Sequence, residues 1–88
     1  LLDRTIENGT IPAAEAFGVG ILPYFPLASG MLTGKYKRGQ PAPNDSRFAA
    51  NPERAQIALT NANFDIVEKL EAFAAARQKT ILDVAIAW

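Results

Sequence analysis

Apolar residues recur at every third or fourth position in the second half of the chain, at Phe64, Val67, Leu70, Phe73 and Ala74. This spacing places them along one side of an α-helix, with most charged residues of the segment elsewhere on its surface. We therefore predict a helix that is capped by Asn61 or Asn63 and ends at about Arg77. An apolar stripe of this kind packs into a core far more often than it binds a ligand.

Capping residues predict two shorter helices earlier in the chain. Thr10 is a suitable N-cap for a helix from about Ile11 to Phe17, and Gly18 stands where a left-handed C-cap is expected. A second helix is predicted over residues 52–59, with Asn51 as its N-cap and a proline at its first position.

The end of the sequence predicts one more helix. Thr80 and Asp83 have the spacing of a capping box, with Asp in place of the usual Glu. The apolar positions that follow are separated by three, four and seven residues, at Ile81, Val84, Ala85 and Trp88. We expect this helix to be cut before its natural end.

The stretch from Val19 to Phe25 carries the only strand that the pattern predicts. It is a short apolar run, rich in aromatic and β-branched residues, in which Gly20, Leu22 and Tyr24 would share one face. A buried parallel strand needs neighbours on both edges. We therefore expect the 88 residues to be a fragment of a larger domain, which would associate with the remainder of that domain or with itself.

A loop of small residues follows the predicted strand and leads to Lys35. Small side chains allow backbone N–H groups to approach phosphate oxygens, while Tyr24 offers a face to a flat ring. An anionic ligand with a ring would suit such a loop. From spacing alone, however, a solvated surface lysine explains Lys35 better, and an aromatic that covers the core explains Tyr24 better.

Residues 37–52 form a polar, proline-rich connection without periodicity. Long connections of this kind are usually lids or mobile segments. Within it Arg47 lies beside an aromatic residue, so it either closes over a phosphate or sits exposed on a mobile loop.

Composition narrows the chemistry that the chain can carry. Nine basic and nine acidic residues give no net charge, which argues against nucleic acid or an anionic membrane as a partner. The absence of Cys and His removes disulfides, thiolate metal sites and the common nucleophilic triads. We expect no metal site, no catalytic residue and no membrane span in this chain, and a cytoplasmic location.

Residues 24–36, YFPLASGMLTGKY, resemble the seventh-strand signature of the aldo-keto reductases. Three further segments are similar to parts of the same family, namely residues 1–4 after the sixth strand, 11–18 in the helix before the seventh, and 83–88 before the eighth. The resemblance implies an α/β fold, in which residues 1–88 are part of a single (β/α)8 TIM barrel domain, from after strand 6 to the helix before strand 8.

The resemblance also implies a function. The parent protein would be an NADP(H)-dependent oxidoreductase that reduces a small-molecule aldehyde or ketone by hydride transfer, with its catalytic Asp, Tyr, Lys and His earlier in the barrel. Tyr24 would stack against the nicotinamide, and Lys35 and Arg47 would bring positive charge to the phosphates. The pyrophosphate would be lined by Phe25, Pro26, Leu27, Ala28 and Ser29.

Two departures from the family pattern concern this cofactor site. Phe25 stands where the family commonly has Ser, and the match of Arg47 needs a one-residue gap. A preference for NADPH over NADH is implied by the family and is not visible in these residues.

Two other functions remain open at this point. The parent could be a non-catalytic nucleotide-binding or regulatory barrel, like the potassium-channel β subunits, or the chain could be an associating module without activity. We expect the isolated chain to bind NADPH weakly or not at all and to show no turnover, because most contacts to the ring and the adenosine are missing.

Overall fold

Helices are the only regular secondary structure in this computed structural model, which describes residues 1–88. The α-helices are α1 (Thr10–Phe17), α2 (Arg47–Ala50), α3 (Pro52–Ala58), α4 (Asn61–Ala75) and α5 (Ile81–Ala87). Two 3-10 segments, Thr5–Asn8 and Ala28–Thr33, complete the regular structure. The chain contains no β-strand, so the predicted α/β organisation is not present within these residues.

The small-residue loop packs into the core. Met31 and Leu32 lie in its 3-10 segment and are each only 1% exposed. They belong to one apolar cluster with Tyr36, Phe48, Phe64, Val67, Ile81 and Ala85. The 3-10 segment contacts α5 and α2, and α5 in turn packs on α4. The loop is therefore anchored from below by two large apolar side chains, while its other residues lie nearer the surface.

The prediction of a strand at residues 19–25 is wrong for this structure. Val19 still donates a hydrogen bond to the Ala14 carbonyl behind the end of α1, but residues 20–25 donate none to the backbone. The segment is mostly solvent-exposed, and Leu22 is 98% exposed. A strand satisfies its backbone hydrogen-bonding groups only by pairing with a neighbouring strand. Because these 88 residues contain a single segment of strand-like sequence, residues 19–25 have no strand with which to pair.

Helix α1 confirms one predicted cap and corrects the other. Gly18 closes it in the left-handed conformation with φ 64°. Thr10, however, is the first helical residue and Gly9 precedes it as the N-cap. The hydrogen bond from Ala13 N–H ends on the Gly9 carbonyl, and this places the boundary one residue earlier than predicted.

The predicted helices in the second half of the chain are confirmed. Asn51 caps α3 by accepting a hydrogen bond from Arg54 N–H, and Pro52 is the first residue of that helix. In α5 the capping box is complete, because Thr80 accepts from Asp83 N–H while the Asp83 carboxylate accepts from Thr80 N–H.

Helix α4 differs from its prediction in detail. Its N-cap is Thr60, which directly precedes Asn61, the first of the two predicted asparagines, and its last residue is Ala75 rather than Arg77. Phe64, Val67 and Ala74 are buried as predicted, but Phe73 is half exposed. The Arg77 guanidinium lies 3.6 Å from the Phe73 ring centroid and covers the ring instead.

The connection predicted over residues 37–52 contains helix α2, which the pattern did not reveal. Ser46 is buried and caps this one-turn helix by accepting a hydrogen bond from Ala49 N–H. Phe48 is only 2% exposed and its ring lies 4.8 Å from that of Tyr36. The segment that carries Arg47 is therefore fixed to the core through the side chains on either side of it.

Candidate functional site

A cleft of about 310 Å³ opens on the outer side of the small-residue loop. It is lined by Phe25, Pro26, Leu27, Ser29, Gly30, Thr33, Lys35 and Arg47. The structure therefore brings together most of the side chains that the sequence singles out for cofactor binding. Tyr24 and Ala28, the two others, line a neighbouring groove.

Left-handed backbone conformations shape the floor of the cleft. Ala28, Ser29 and Gly30 are consecutive residues with φ of 49°, 56° and 98°. Such a run turns the backbone tightly, and it is unusual because side chains disfavour positive φ. Hydrogen bonds from Ala28, Gly30 and Leu32 N–H to carbonyls of Phe25 and Leu27 stabilise it.

The backbone of this turn also leaves donors available. The N–H groups of Leu27 and Ser29 are not among the groups that donate backbone hydrogen bonds here. Consecutive left-handed or turn residues with unused N–H groups form concavities that bind anions. The loop can therefore offer backbone donors as well as charge.

Gly30 allows Lys35 to fold back across the loop. A Cβ atom at Gly30 would lie 2.8 Å from Lys35 Cε and 3.3 Å from its Nζ. The Thr33 hydroxyl donates a 2.7 Å hydrogen bond to the Gly30 carbonyl, which fixes the turn between them. Only glycine accommodates both the positive φ and the close approach of the lysine.

Tyr36 supports the loop, a role that the sequence reasoning did not assign. Its ring is buried against Phe48, and its hydroxyl lies 3.5 Å from the Ser29 carbonyl, which accepts a long hydrogen bond. Lys35 Nζ lies 5.5 Å from the centroid of the same ring. The buried tyrosine thus connects the two ends of the loop and lies beneath its cation.

Two guanidinium groups approach the ring of Phe25. Arg47 Cζ lies 5.6 Å from the ring centroid and Arg54 Cζ lies 5.8 Å from it. Both distances are within the range of cation–π attraction. The sequence reasoning singled out Arg47 and missed Arg54, because the two residues belong to different helices and no spacing rule relates them.

The cations beside the cleft have no carboxylate partner, a property that they share with three cations elsewhere in the chain. Arg4, Lys37 and Arg38 each form an ion pair with a carboxylate. Lys35, Arg47 and Arg54 form none, and no acidic side chain lines the cleft. A chain with no net charge overall therefore has a locally positive cleft.

Tyr24 lies on the other side of the same segment. It is 88% exposed, and its ring centroid is 4.4 Å from that of Phe25. The groove beside it has a volume of about 480 Å³ and is mainly apolar. Because Phe25 and Pro26 border both the groove and the cleft, a ligand lying across them could contact the cationic cleft and the Tyr24 ring at once.

The structure contains neither a cluster of metal ligands nor a membrane-spanning helix. No three acidic, His or Cys side chains come close enough to hold a metal ion. No helix has the length and apolar character needed to cross a membrane.

Comparison with known proteins gives one consistent result. The model of the Aldo/keto reductase family matches residues 1–88. Probable aldo-keto reductase 1 of Glycine max is 35% identical over 88 residues, which are 100% of this chain and 25% of that protein. L-glyceraldehyde 3-phosphate reductase of Escherichia coli (strain K12) is 32% identical over 93 aligned residues, covering 100% of this chain and 26% of the reductase.

A third relative is named as a channel subunit and not as a reductase. A probable voltage-gated potassium channel subunit beta of Oryza sativa subsp. japonica is 35% identical over 85 residues, covering 94% of this chain and 26% of that subunit. The chain thus spans about a quarter of the length of these relatives. No solved structure matches it.

Proposed function

This chain belongs to the aldo/keto reductase family, and from that premise we propose that it forms the nicotinamide- and pyrophosphate-binding part of an NADP(H)-dependent oxidoreductase that reduces aldehydes or ketones. The observation that carries the proposal is the cleft beside Phe25. Its cations have no carboxylate partners, and it adjoins the exposed ring of Tyr24.

The residues of the cleft fit a dinucleotide. Lys35 and Arg47 would neutralise the phosphates, and the loop from Pro26 to Ser29 would approach them with backbone N–H groups. Tyr24 would cover one face of the nicotinamide, so that only the other face is open to a substrate. When bound, NADPH supplies the hydride that reduces the carbonyl.

We further propose that the groups which act on the carbonyl lie outside these residues. The chain has no His, and its lysine and aromatic residues at the cleft are positioned for binding. Its curated relatives are about four times as long, which leaves ample sequence for the remaining elements of a barrel.

The exposed apolar segment supports the same proposal. Val19, Leu22 and Tyr24 are all largely exposed, although the first two are aliphatic. In a barrel, strands on both sides would pair with residues 19–25 and cover these side chains. The rest of the domain is thus proposed as the partner of this segment.

A second function is favoured by one observation. Relatives from Oryza sativa and Arabidopsis thaliana are named as probable voltage-gated potassium channel subunits beta. A regulatory barrel would use the same nucleotide cleft and would not require turnover. Assays of the full-length protein with NADPH and a model aldehyde separate the two functions, since only a reductase oxidises NADPH when the aldehyde is added.

The cofactor site itself can be tested on this chain by NMR. We expect NADPH at millimolar concentration to shift the amide signals of Ser29, Gly30 and Lys35, and to leave those of α4 unchanged. Lys35→Gln should weaken the effect, whereas Lys69→Gln on the exposed side of α4 should not. If NADPH shifts the loop signals equally in Lys35→Gln, or shifts the signals of α4 instead of those of the loop, the proposed site is wrong.

A further inference from the structure

Arg54 lies beside the positive cleft although it was not recognised from the sequence. We propose that Arg54 binds the phosphate groups of the ligand together with Arg47, so that the two arginines and Phe25 form one anion-binding unit. This inference rests on the proposed function for the identity of the natural ligand. It requires only a diphosphate for its test.

The geometry around Phe25 is the first support. Both guanidinium groups lie within 5.8 Å of the centroid of its ring. A planar guanidinium against an aromatic face keeps its N–H groups directed outward at the edge of the ring, where they can reach an anion. One ring thus lies close to two forked donors that come from separate helices.

The electrostatics of the pair are the second support. Neither Arg47 nor Arg54 has a carboxylate within ion-pair distance, and each is exposed. Two like charges near one ring repel each other, and the attraction of both to a multiply charged anion offsets this repulsion. A diphosphate suits the pair because each guanidinium can take two phosphate oxygens.

The backbone at Phe25 is the third support. It has φ 58°, a conformation in which a bulky side chain is a true outlier. Strained residues of this kind cluster at ligand clamps. Here the strain presents the ring to both arginines at the border of the cleft.

Arg77 shows what an arginine with a structural role looks like in the same chain. It lies 3.6 Å from the Phe73 ring centroid, and its Nη1 donates a hydrogen bond to the Phe73 carbonyl near the end of α4. Arg54 Cζ also lies near an aromatic ring, but at the greater distance of 5.8 Å from its centroid and with no such hydrogen bond. Arg77 is therefore the matched control.

The test is a titration of the whole chain with pyrophosphate, in which NMR measures the affinity at several salt concentrations. Arg54→Gln should weaken binding about tenfold and make the dependence on salt shallower. Arg54→Lys should recover only part of the affinity, because it restores charge without the fork. Arg77→Gln should bind as the unchanged chain does. Circular dichroism of each variant checks that its helices persist.

Three results would overturn the inference. The first is that the unchanged chain does not bind pyrophosphate, and the second is that Arg54→Gln binds it with the same affinity as the unchanged chain. The third is that Arg77→Gln loses as much affinity as Arg54→Gln, which would indicate only an effect of net charge. If pyrophosphate binds through Arg54 but the full-length protein does not bind NADPH, the proposed function fails and this inference stands. If both ligands bind and Arg54→Gln changes neither, the inference alone fails.

Discussion

Arg38 and Glu68 are joined by two parallel hydrogen bonds, from Nε to Oε1 at 2.9 Å and from Nη2 to Oε2 at 3.0 Å. The same guanidinium donates to Asp65 at 2.6 Å and to Asn61 at 3.2 Å. All three acceptors lie on α4, so one side chain ties the segment after Lys35 to the longest helix.

This pair makes stability depend on pH. The hydrogen bonds from Arg38 lower the pKa of Glu68 below its ordinary value of 4.5. A carboxylate whose pKa is lowered by folding stabilises the folded chain above its unfolded pKa, and this contribution is lost as the pH falls through the folded pKa. We expect the unchanged chain to lose more stability below about pH 4.5 than Glu68→Gln does. Urea unfolding at neutral and acidic pH measures the difference.

The control for this prediction is Glu53→Gln, which removes a carboxylate that forms no ion pair. It should keep the acid sensitivity of the unchanged chain. Parallel loss of stability with acid in all three proteins would show that the pair of Arg38 and Glu68 does not cause the dependence of stability on pH.

The burial of Phe48 predicts a large effect on stability. Phe48→Ala removes a ring that is 2% exposed and packs against Tyr36, so it should cost about 3–5 kcal/mol. Phe17→Ala removes a ring that is 83% exposed and should change the free energy of unfolding by less than about 0.5 kcal/mol. Denaturant titration of both variants provides the comparison. Similar losses in the two would mean that Phe48 does not lie in the core.

Local rules made most of the helices predictable. An N-cap and the backbone N–H that donates to it are only three residues apart, as in Asn51 with Arg54 and Thr80 with Asp83, so both partners can be read in one window of sequence. The apolar spacing of α4 is equally local. Helix α2 escaped prediction because it has a single turn and is stabilised by the distant contact between Phe48 and Tyr36.

Non-local relationships explain the other failures. Residues 19–25 have the composition of a strand, but strand formation depends on a partner that these residues do not contain. Lys35 and Gly30 lie in the same short loop, so their approach could have been predicted from the local sequence. The approach of Arg54 to Phe25 depends on how α3 is placed, and no local signal encodes it.

The correction at the start of α1 can be tested by substitution. Thr60 caps α4 by accepting a hydrogen bond from Asn63 N–H, so Thr60→Ala should cost about 1 kcal/mol. Thr10 was predicted to cap α1, but Gly9 occupies that position, and Thr10→Ala should cost less than about 0.5 kcal/mol. Thermal unfolding of the two variants separates them. An equal loss in Thr10→Ala would restore the original prediction.

The lack of donated backbone hydrogen bonds in residues 20–25 predicts a pattern of hydrogen exchange. Gly20, Ile21 and Leu22 donate no backbone hydrogen bond, so their amides should exchange at rates close to those of an unfolded peptide. Val67 in the middle of α4 should be the protected reference. In the full-length protein the same three amides should become protected, because neighbouring strands of the proposed barrel would pair with them. Unchanged fast exchange there would contradict the proposed barrel.

The close contact between Gly30 and Lys35 predicts a loss of ligand binding that backbone strain alone does not explain. Gly30→Ala places a Cβ 2.8 Å from Lys35 Cε at a residue with φ 98°, so it should displace the lysine from the cleft. Gly39→Ala is the matched control, because Gly39 has φ 72° and its Cβ would meet no atom within 4 Å. Both variants should lose about 1–2 kcal/mol of stability to the strained conformation. Only Gly30→Ala should weaken the binding of pyrophosphate measured by NMR, and equal binding by the two variants would mean that the position of Lys35 does not matter.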